Sequence, residues 1–468
     1  MVSSEVAPLA KTGGLADAVG SLPPALRALG DDVAAIVPRY RSIDLKGLRR
    51  VYDRIPVFLG PARYDTTLYL AHESFPVYLV DCPPLYDRRE LYGEGGKDYA
   101  DNPIRFAVLA RAALAAARFL FKTEIFHCHD WQAGLVPAYL RTTFANDPTF
   151  LGAKTVFTIH DLEYQGLFPK TALAEVALDP AWFGPHGLEF FGKLSYIKGG
   201  IVFADALTTL SPTEAREMQT PELGFGLDGA LAARAGVLTG ILNGADAAEW
   251  DPATDLFLPA RYSAADLSGK HICKEQLLAE FGLPARAVER PLLGMAPHLA
   301  REAGIGLVTE MAGSLASEDL YLAALGGGEP EGEDLFRGMA AAYPDRMAFR
   351  PSFDNGLAHR ITAGADIFLL PGRYEPGGLT PVPLLKYGTV PVVRAVGGLN
   401  DTIDEGTGFK FEEPTALALR TAVQEAGRAF YQEELWKARM LRGMGRDFSW
   451  SRPAAAYSAL YRRLLGQA

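Results

Sequence analysis

The sequence has few cysteines, no excess of positive charge and no long apolar run. Its three cysteines, Cys82, Cys128 and Cys273, form no Cys-x-x-Cys pair, which argues against structural disulfides and a zinc knot and predicts a reducing, cytoplasmic compartment. The formal net charge of −10 argues against a nucleic-acid partner, which would call for a basic face. A neutral polymer and a small metabolite fit this charge equally well.

Membrane-spanning and repetitive architectures lack support as well. The most apolar helical stretch, residues 107–121, is interrupted by Arg111 and Arg118, so we predict that no segment spans a membrane. No signal peptide opens the chain, and there is no internal repeat or low-complexity stretch. What remains is an ordinary globular composition, 49% hydrophobic and 22% charged, over 468 residues, which is enough for two or three domains.

Short β-rich apolar runs alternate with amphipathic helical runs along the chain. The clearest β-rich runs are residues 155–159, 206–210, 365–370 and 390–393. This alternation is typical of parallel sheets wrapped by helices, so we predict an α/β fold. The glycine-rich, turn-forming run 236–246 predicts a junction between domains.

We therefore place an N-terminal domain at residues 1–240, a second α/β domain at 241–448 and a terminal segment at 449–468. Within that segment Tyr457, Leu460, Tyr461 and Leu464 share one face of a helix. A helix with such an apolar face needs a surface to cover it, so we expect it to pack back on the first domain.

The segment Lys11-Thr12-Gly13-Gly14-Leu15 precedes a helical run and is typical of an anion-binding loop. Glycines let backbone N–H groups approach an anion, the start of a helix adds partial positive charge, and the lysine adds a mobile full charge. A plain structural turn has the same composition and stays open as an alternative.

Three polar side chains follow apolar strands, where open parallel sheets place their ligand crevice. His160 follows the run 155–159, Asp130 follows the sequence His-Cys-His, and Glu375 lies shortly after the run 365–370. The alternatives are a core histidine with both ring nitrogens satisfied for His160, and for Glu375 an N-cap of the helix starting near Thr380.

His127 and His129 share one face of a strand and could bind a metal as a pair. No third ligand at a suitable spacing is evident, so we predict no metal site.

Several motifs together resemble the bacterial glycogen and starch synthases. They are Lys11-Thr-Gly-Gly-Leu-Ala-Asp-Ala-Val-Gly20, His129-Asp-Trp-Gln-Ala-Gly-Leu135, Thr158-Ile-His-Asp-Leu-Glu-Tyr-Gln-Gly166, Gly240-Ile-Leu-Asn-Gly-Ala-Asp246 and Glu375-Pro-Gly-Gly-Leu379. Their order and spacing match over nearly the whole chain. The resemblance implies the GT-B architecture, in which two Rossmann-like doubly wound domains face a central cleft. It also implies a retaining glucosyltransferase with a nucleotide-sugar donor, usually ADP-glucose, an α-1,4-glucan acceptor such as glycogen, and no cofactor.

The resemblance also implies roles for particular residues. Glu375 is an essential catalytic residue, His160 contacts the donor glucose near the reacting carbon, and Asp130 lies near the glucose or the acceptor. Such transfer needs hydrogen-bond donors for the departing diphosphate and a carbonyl or carboxylate beside an oxocarbenium-like sugar. The residues assigned to donor binding are Lys11, Gly13, Gly14, Asn243, Gly378, Leu379 and Thr380. For Asn243 a routine Asn-Gly turn stays open as an alternative.

The chain departs from the family where two cations clamp the donor phosphates. His298 stands where an arginine is expected, and Ala303 where a lysine is expected. Their loss should cost several kcal/mol of transition-state stabilisation, since a single electrostatic contact of this kind contributes about 3 kcal/mol. Arg301 and Arg373 are candidate substitutes. If neither reaches the phosphates, Lys11 is the one motif-matched clamp cation left.

The amino terminus is shorter than in the family, which has an apolar strand before the Ser-Glu-Val-Ala-Pro stretch. Here only Met1, Val2 and Ser3 precede it. We expect this loss to leave neighbouring strands unpaired, and we favour a misplaced start codon over a true deletion.

Three hypotheses follow. The leading one is a glycogen or starch synthase-like glucosyltransferase that uses ADP-glucose, with its rate reduced by the missing cations. The second is a catalytically impaired family member that acts as a glucan-binding or regulatory protein. The third is a GT-B enzyme with a small-molecule acceptor, many of which carry a second glutamate eight residues after the first, where this chain has Pro383.

Overall fold

Contacts between residues divide the chain into two units in the computed structural model, which describes residues 1–72, 74–245, 250–299, 301–351 and 354–467. The first unit is Met1–Gly244 with Trp450–Ala468, and the second is Ala245–Ser449. Asp246, which ends the Gly240–Asp246 motif, lies outside the described residues.

The first unit combines one large sheet with small hairpins and helices on both sides. Its strands are β1 (Ala35–Pro38), β2 (Arg49–Leu59), β3 (Ala62–His72), β4 (Pro76–Asp81), β5 (Gly93–Glu94), β6 (Lys97–Asp98), β7 (Ile125–His129), β8 (Lys154–Ile159), β9 (Leu167–Pro169), β10 (Glu189–Phe190), β11 (Lys193–Ser195), β12 (Ala206–Thr209) and β13 (Leu238–Gly240). Its helices before the junction are α1 (Gly14–Ala28), α2 (Pro83–Tyr86), α3 (Asn102–Phe119), α4 (Asp130–Ala133), α5 (Leu135–Arg141), α6 (Ala172–Glu175), α7 (Tyr196–Phe203), α8 (Pro212–Glu217) and α9 (Asp228–Ala232).

The large sheet of the first unit consists of two halves joined by the first residues of the chain. One half has the parallel order β7-β8-β12-β13, and the other has the order β1-β4-β3-β2, in which β3 runs antiparallel to both neighbours. Val2 makes parallel bridges to Ile36 of β1 and to Cys128 of β7. The expectation that the short amino terminus leaves these strands unpaired is therefore wrong at this point, because the backbone around Val2 pairs with both of them.

Helix α3 is buried on almost every side between the sheet and its neighbours. Its arginines are accommodated by aromatic rings: the Arg111 guanidinium lies 4.1 Å from the centre of the Tyr139 ring, a cation–π contact. No helix among the described residues is both long and apolar enough to cross a membrane.

The second unit is built around one parallel sheet. Its strands are β14 (Leu292–Met295), β15 (His298–Leu299), β16 (Tyr321–Gly328), β17 (Met347–Pro351), β18 (Ile367–Leu370), β19 (Val390–Arg394) and β20 (Phe409–Phe411). Its helices are α10 (Ser268–Phe281), α11 (Ile305–Glu310), α12 (Ala312–Ser317), α13 (Pro330–Ala342), α14 (Asn355–Gly364), α15 (Pro381–Lys386), α16 (Gly397–Thr402), α17 (Ala416–Phe430) and α18 (Glu433–Met444).

The sheet has seven strands: its main order is β17-β16-β14-β18-β19-β20, and the two-residue strand β15 pairs with the end of β16; all of these pairs are parallel. Numbered along the chain without β15, the main order is 3-2-1-4-5-6, the arrangement of doubly wound dinucleotide-binding folds. The direction of winding reverses between β14 and β18, and ligands bind at the carboxyl ends of strands beside such a switch point. The α/β class is confirmed, and so are the four strands expected from apolar runs, which are β8, β12, β18 and β19.

The last helix, α19 (Ser451–Leu464), belongs to the first unit. Tyr457, Leu460 and Tyr461 are buried on its inner face, and Leu464 packs partly against the same cluster. The cluster also contains Leu22 and Leu26 of α1. Each fully buried side chain of this size contributes roughly 1.5–3 kcal/mol, which explains why the amphipathic face predicted from the sequence is covered.

Candidate active site

The lysine loop of the first unit follows the Val2 segment and leads into α1. Gly13 is extended, with φ −162° and ψ −164°, and the helix begins at Gly14. Among the described residues, none accepts a hydrogen bond from the N–H groups of Gly13, Gly14 and Leu15. A Cβ atom added at Gly13 or Gly14 would meet no atom within 4 Å. The loop therefore offers free N–H groups, a helix start and open space, which are the requirements of an anion site.

A buried glutamate holds this loop in place. Glu5 accepts hydrogen bonds from the backbone N–H and the hydroxyl of Thr12, both at 2.6 Å, and from the hydroxyl of Tyr92. The Lys11 ammonium pairs with Asp17 at 2.7 Å, and both side chains are about half exposed. Such an exposed pair contributes little stability, so Lys11 is free to exchange Asp17 for another anion. The sequence reasoning missed Glu5 and Tyr92; the only available signal was the position of Glu5 just before the loop.

Asp130 and His160 lie side by side at the carboxyl ends of β7 and β8. Asp130 Oδ1 accepts the backbone N–H of His160 at 2.7 Å and that of Asp161 at 3.4 Å. Asp130 has φ +55°, a left-handed conformation that aspartate tolerates better than most residues. The structure thus brings together two of the three residues expected to be catalytic.

Burial is the main cause of the pKa shifts of both Asp130 and His160. It raises the pKa of the Asp130 carboxyl to about 8; the nearby charges of Asp161 and Glu5 raise this pKa further, and the hydrogen bonds from the His160 and Asp161 N–H groups lower it in part. Burial lowers the pKa of His160 to about 3, so this imidazole is neutral. Nδ1 of His160 is buried and has no hydrogen-bond partner among the described residues, so the alternative of a fully satisfied core histidine is wrong.

The two histidines of β7 pack against each other and against polar neighbours. Their ring centres are 4.2 Å apart in a stacked arrangement. His127 Nδ1 lies 2.6 Å from the Tyr461 hydroxyl, and its Nε2 lies 2.6 Å from the Thr158 hydroxyl. Both nitrogens of His127 are therefore engaged by protein hydroxyls. No group of three or more potential metal ligands is found among the described residues.

Asn243 lies three residues beyond β13 and is partly buried. The next residue, Gly244, packs so closely on Trp450 that a Cβ atom there would lie 2.6 Å from the ring. Packing on Trp450 therefore explains the glycine at position 244. The backbone of residues 241–245 forms no turn, and the expected substrate contact of Asn243 stays a prediction.

The second unit contains a cavity of about 580 Å³ at its topological switch point. Residues just after β14, namely Ala296 and Pro297, form one wall, and Pro371 and Gly372, just after β18, form another. Glu375 and Thr380 line the same cavity. This is the position at which doubly wound folds bind nucleotides, and the volume is that of a small-molecule site.

Glycine contacts shape the segment that carries Glu375. A Cβ atom on Gly378, which has φ +59°, would lie 2.2 Å from the carbonyl carbon of Gly398, at the start of α16. The Gly398 N–H donates to the Glu375 carbonyl at 3.0 Å, and the Thr402 hydroxyl donates to the Gly378 carbonyl at 2.9 Å. The two loops therefore form one rigid support for Glu375.

The Glu375 carboxylate faces its own loop. Burial raises its pKa, and hydrogen bonds from the Thr380 hydroxyl and the Gly378 N–H partly offset this rise. Helix α15 starts at Pro381 with Thr380 as its N-cap residue and has no side-chain cap, so Glu375 does not act as the cap. Gly378 and Thr380, two of the expected donor-binding residues, are thus its direct partners, and Leu379 lies between them.

The two phosphate-clamp cations of the family have no counterpart in the described lining of this cavity. Ala303 lines the wall, as do the carboxylates Glu302, Asp354 and Glu375, and no described lining residue is a lysine or arginine. The side chains of His298 and Arg301 lie outside the described part of the chain. The backbone N–H of Arg373 donates to the Glu302 carbonyl at 2.7 Å, which places this arginine on the loop next to the clamp segment.

Comparisons with known proteins extend over nearly the whole chain. Two protein-family models match the sequence. The family described as the starch synthase catalytic domain matches residues 1–233, and the family described as glycosyl transferases group 1 matches residues 283–427. A glycogen synthase of Anaeromyxobacter sp. (strain Fw109-5) is 51% identical over 99% of this chain and 98% of its own. A glycogen synthase of Koribacter versatilis (strain Ellin345) is 43% identical over 98% of this chain and 97% of its own.

Solved structures agree with these matches. The catalytic domain of starch synthase IV from Arabidopsis thaliana, bound to ADP and acarbose, has a TM-score of 0.84 and 31% identity, covering 99% of this chain and 98% of that chain. Sucrose-phosphate synthase from Thermosynechococcus elongatus shares the fold alone. It has a TM-score of 0.56 and 18% identity, covering 100% of this chain and 98% of that chain. The expected GT-B class and glucosyltransferase activity are therefore confirmed, and the chain belongs to the glycogen and starch synthase family.

Proposed function

We propose that the chain transfers glucose from ADP-glucose to the non-reducing end of an α-1,4-glucan such as glycogen, with retention of configuration and without a cofactor. The observation that carries this proposal is the match to glycogen synthases over 99% of the chain at up to 51% identity. The starch synthase IV relative holds ADP and acarbose, which supports an adenine nucleotide as the donor. A cytoplasmic location stays a prediction from the cysteine content.

The first unit has the groups that such a reaction needs at a leaving diphosphate. The free N–H groups at Gly13 and Gly14 and the exposed Lys11 would stabilise negative charge, and preorganised donors of this kind act without reorganisation during the reaction. Asp130 and the neutral His160 supply hydrogen-bonding groups for the sugar beside them. No metal is required for these roles.

The second unit has the groups expected beside the donor. The cavity at the switch point suits a nucleotide, and Glu375 is held at its wall by its bonds with Gly378 and Thr380. A fixed carboxylate can orient sugar hydroxyls and stabilise an oxocarbenium-like transition state.

We further propose that transfer is slow compared with relatives that keep both clamp cations. The described lining of the cavity is acidic at Glu302, Asp354 and Glu375 and carries no lysine or arginine. An acidic wall disfavours a diphosphate, so we expect the loss of the two family cations to lower the rate of transfer.

A donor-panel assay tests the reaction. Purified protein is incubated with glycogen and labelled ADP-glucose or UDP-glucose, and we expect label in the polymer from ADP-glucose in a form that an α-1,4-specific glucanase releases. Glu375→Ala should abolish incorporation. The matched control is Glu434→Ala, which removes an exposed glutamate on α18 and should leave the rate unchanged.

Each negative result of this assay leads to a different conclusion. No incorporation from any donor, with glycogen still bound in a pull-down, would favour a glucan-binding protein. Incorporation from UDP-glucose alone would correct the donor. Full activity of Glu375→Ala would remove this carboxylate from the mechanism.

A further inference from the structure

A chain of buried imidazoles lies directly behind His160. Nε2 of His160 is 3.0 Å from Nδ1 of His129, and the His129 ring stacks on the ring of His127. Only 1% of His129 and 7% of His160 is exposed. The sequence suggested for His129 only a metal pair with His127, and no group of three or more possible metal ligands is found among the described residues, so its contact with His160 needs another explanation.

Counting protons shows that this pair is incomplete. Burial lowers the pKa of both imidazoles, so each ring carries a single N–H. One N–H is used in the bond between the rings, and one lone pair accepts it. The two remaining nitrogens, Nε2 of His129 and Nδ1 of His160, are both buried without a partner among the described residues, and one of them must carry the second N–H.

The nitrogen that carries this second N–H decides which of two hydrogen-bond arrangements is stable when a sugar is bound. If His160 donated to His129, the second N–H would be on Nε2 of His129, which is enclosed by the protein, and would stay unsatisfied even with a sugar bound. If His129 donates to His160, the second N–H is on Nδ1 of His160. This atom is buried as well, but His160 is the more exposed of the two rings, at 7% against 1%, and it is the one expected to contact the donor glucose, so a sugar oxygen can accept this N–H on binding. Because a buried N–H without an acceptor is costly, the second arrangement is favoured in the complex.

We propose that His129 is a positioning residue: its Nδ1–H donates to Nε2 of His160 and holds that ring in the tautomer that presents an Nδ1–H to an oxygen of the bound sugar. This inference rests on the proposed transfer reaction, in which His160 lies near the reacting carbon. His129 does not touch the substrate. It fixes the orientation and the proton of the residue that does.

The surroundings keep His129 in place. His127, on which His129 stacks, is bonded at both nitrogens, to Tyr461 of α19 and to Thr158 of β8. The last helix of the unit thus braces the ring stack from behind. A ring held on one face by a stack and on one edge by a hydrogen bond has little freedom to rotate.

Two substitutions of His129 separate the hydrogen bond from the packing. His129→Leu removes the donor and keeps an apolar side chain, and we expect kcat to fall about 10- to 100-fold with little change in the KM for ADP-glucose, because a small misplacement of a reacting group costs up to about 100-fold. His129→Asn carries an amide N–H at the position of Nδ1, and we expect it to recover most of kcat.

The matched control is a buried hydrogen bond of the same unit that does not involve His160. The Tyr139 hydroxyl donates to the Val176 carbonyl at 2.6 Å. Tyr139→Phe should lower the unfolding midpoint and leave kcat unchanged. If it lowers kcat as much as His129→Leu does, the effect is a general loss of stability and the proposal is wrong.

Nitrogen-15 NMR reads the tautomer without turnover. The chain has only eight histidines, so ¹⁵N-histidine labelling gives a simple spectrum, and His160→Asn assigns the His160 signals by their loss. With ADP-glucose bound and no glucan acceptor present, we expect a protonated Nδ1 and an unprotonated Nε2 on His160 in the wild type, and loss of this preference in His129→Leu. A proton on Nε2 of His160 in the wild type would overturn the proposal.

These readouts also separate this proposal from the proposed function. Wild-type protein that transfers no glucose contradicts the proposed function, whereas the tautomer of His160 is still measured by NMR. An active wild type with an equally active His129→Leu contradicts the positioning role alone.

Discussion

Gly378→Ala is the most direct test of how the second unit holds Glu375. The φ of +59° is left-handed, which costs a residue with a side chain about 1–2 kcal/mol. The added Cβ atom would lie 2.2 Å from the Gly398 carbonyl carbon, whereas carbon atoms rest at roughly 3.5–4.0 Å. Because the obstacle is backbone, the two loops have to separate by about 1 Å or more to relieve this contact.

Separation breaks the two hydrogen bonds that join the loops, from the Gly398 N–H to the Glu375 carbonyl and from the Thr402 hydroxyl to the Gly378 carbonyl. Each contributes about 1 kcal/mol net, so with the backbone strain the total loss is about 3–4 kcal/mol. A shift of about 1 Å at Glu375 should also lower kcat by about 100-fold.

Urea unfolding and glucose transfer are both measured on the variant. Gly338→Ala is the control, because this glycine lies within α13 and an added Cβ atom would meet nothing within 4 Å. That change should stabilise the helix by roughly 0.5–1 kcal/mol and leave transfer unchanged. A Gly378→Ala protein with wild-type stability and rate would refute the idea that glycine packing holds Glu375.

Three further predictions concern charge. Lys11→Ala should reduce transfer at least 100-fold without shifting the unfolding midpoint, since its pair with Asp17 is exposed; full activity would remove the loop from the mechanism. Burial raises the pKa of Asp130 from 3.8 to about 8, so the folded protein keeps a proton that the unfolded chain releases, and stability falls as pH rises from about 4 to about 8. Asp130→Asn should flatten this fall in pH-dependent unfolding, and an unchanged slope would assign the titration to another group. His298→Arg with Ala303→Lys should raise kcat/KM by about 100-fold or more, and an unchanged value would mean that other residues hold the diphosphate.

The parts of the fold predicted from the sequence are those with a strong local signal. The apolar runs at 155–159 and 390–393 are strands β8 and β19, because β-branched residues bounded by turns have few alternatives in an α/β chain. The face of α19 formed by Tyr457, Leu460 and Tyr461 is buried as its helical spacing indicates. The pairing of Val2 with two strands was missed, since three residues carry no periodic signal.

The sequence also predicted only some of the site residues. Motifs pointed to Asp130, His160 and Glu375, and the rule that ligands bind at the carboxyl ends of strands placed them. Glu5 and Tyr92 were not singled out, and His129 was considered only as half of a metal pair with His127. The importance of all three depends on contacts with residues distant in sequence: Tyr92 lies 87 positions from Glu5, and His129 lies 31 positions from His160.

The sequence by itself determined the fold class, the family and the residue types available for chemistry, because these depend on local propensity and on motifs read along the chain. Only the tertiary structure decided which polar groups are left without partners. The free N–H groups before α1, the unpaired Nδ1 of His160 and the raised pKa of Asp130 all arise from burial and from neighbours that the fold brings together. Hydrogen bonding and desolvation are properties of the packed molecule, so no local pattern encodes them.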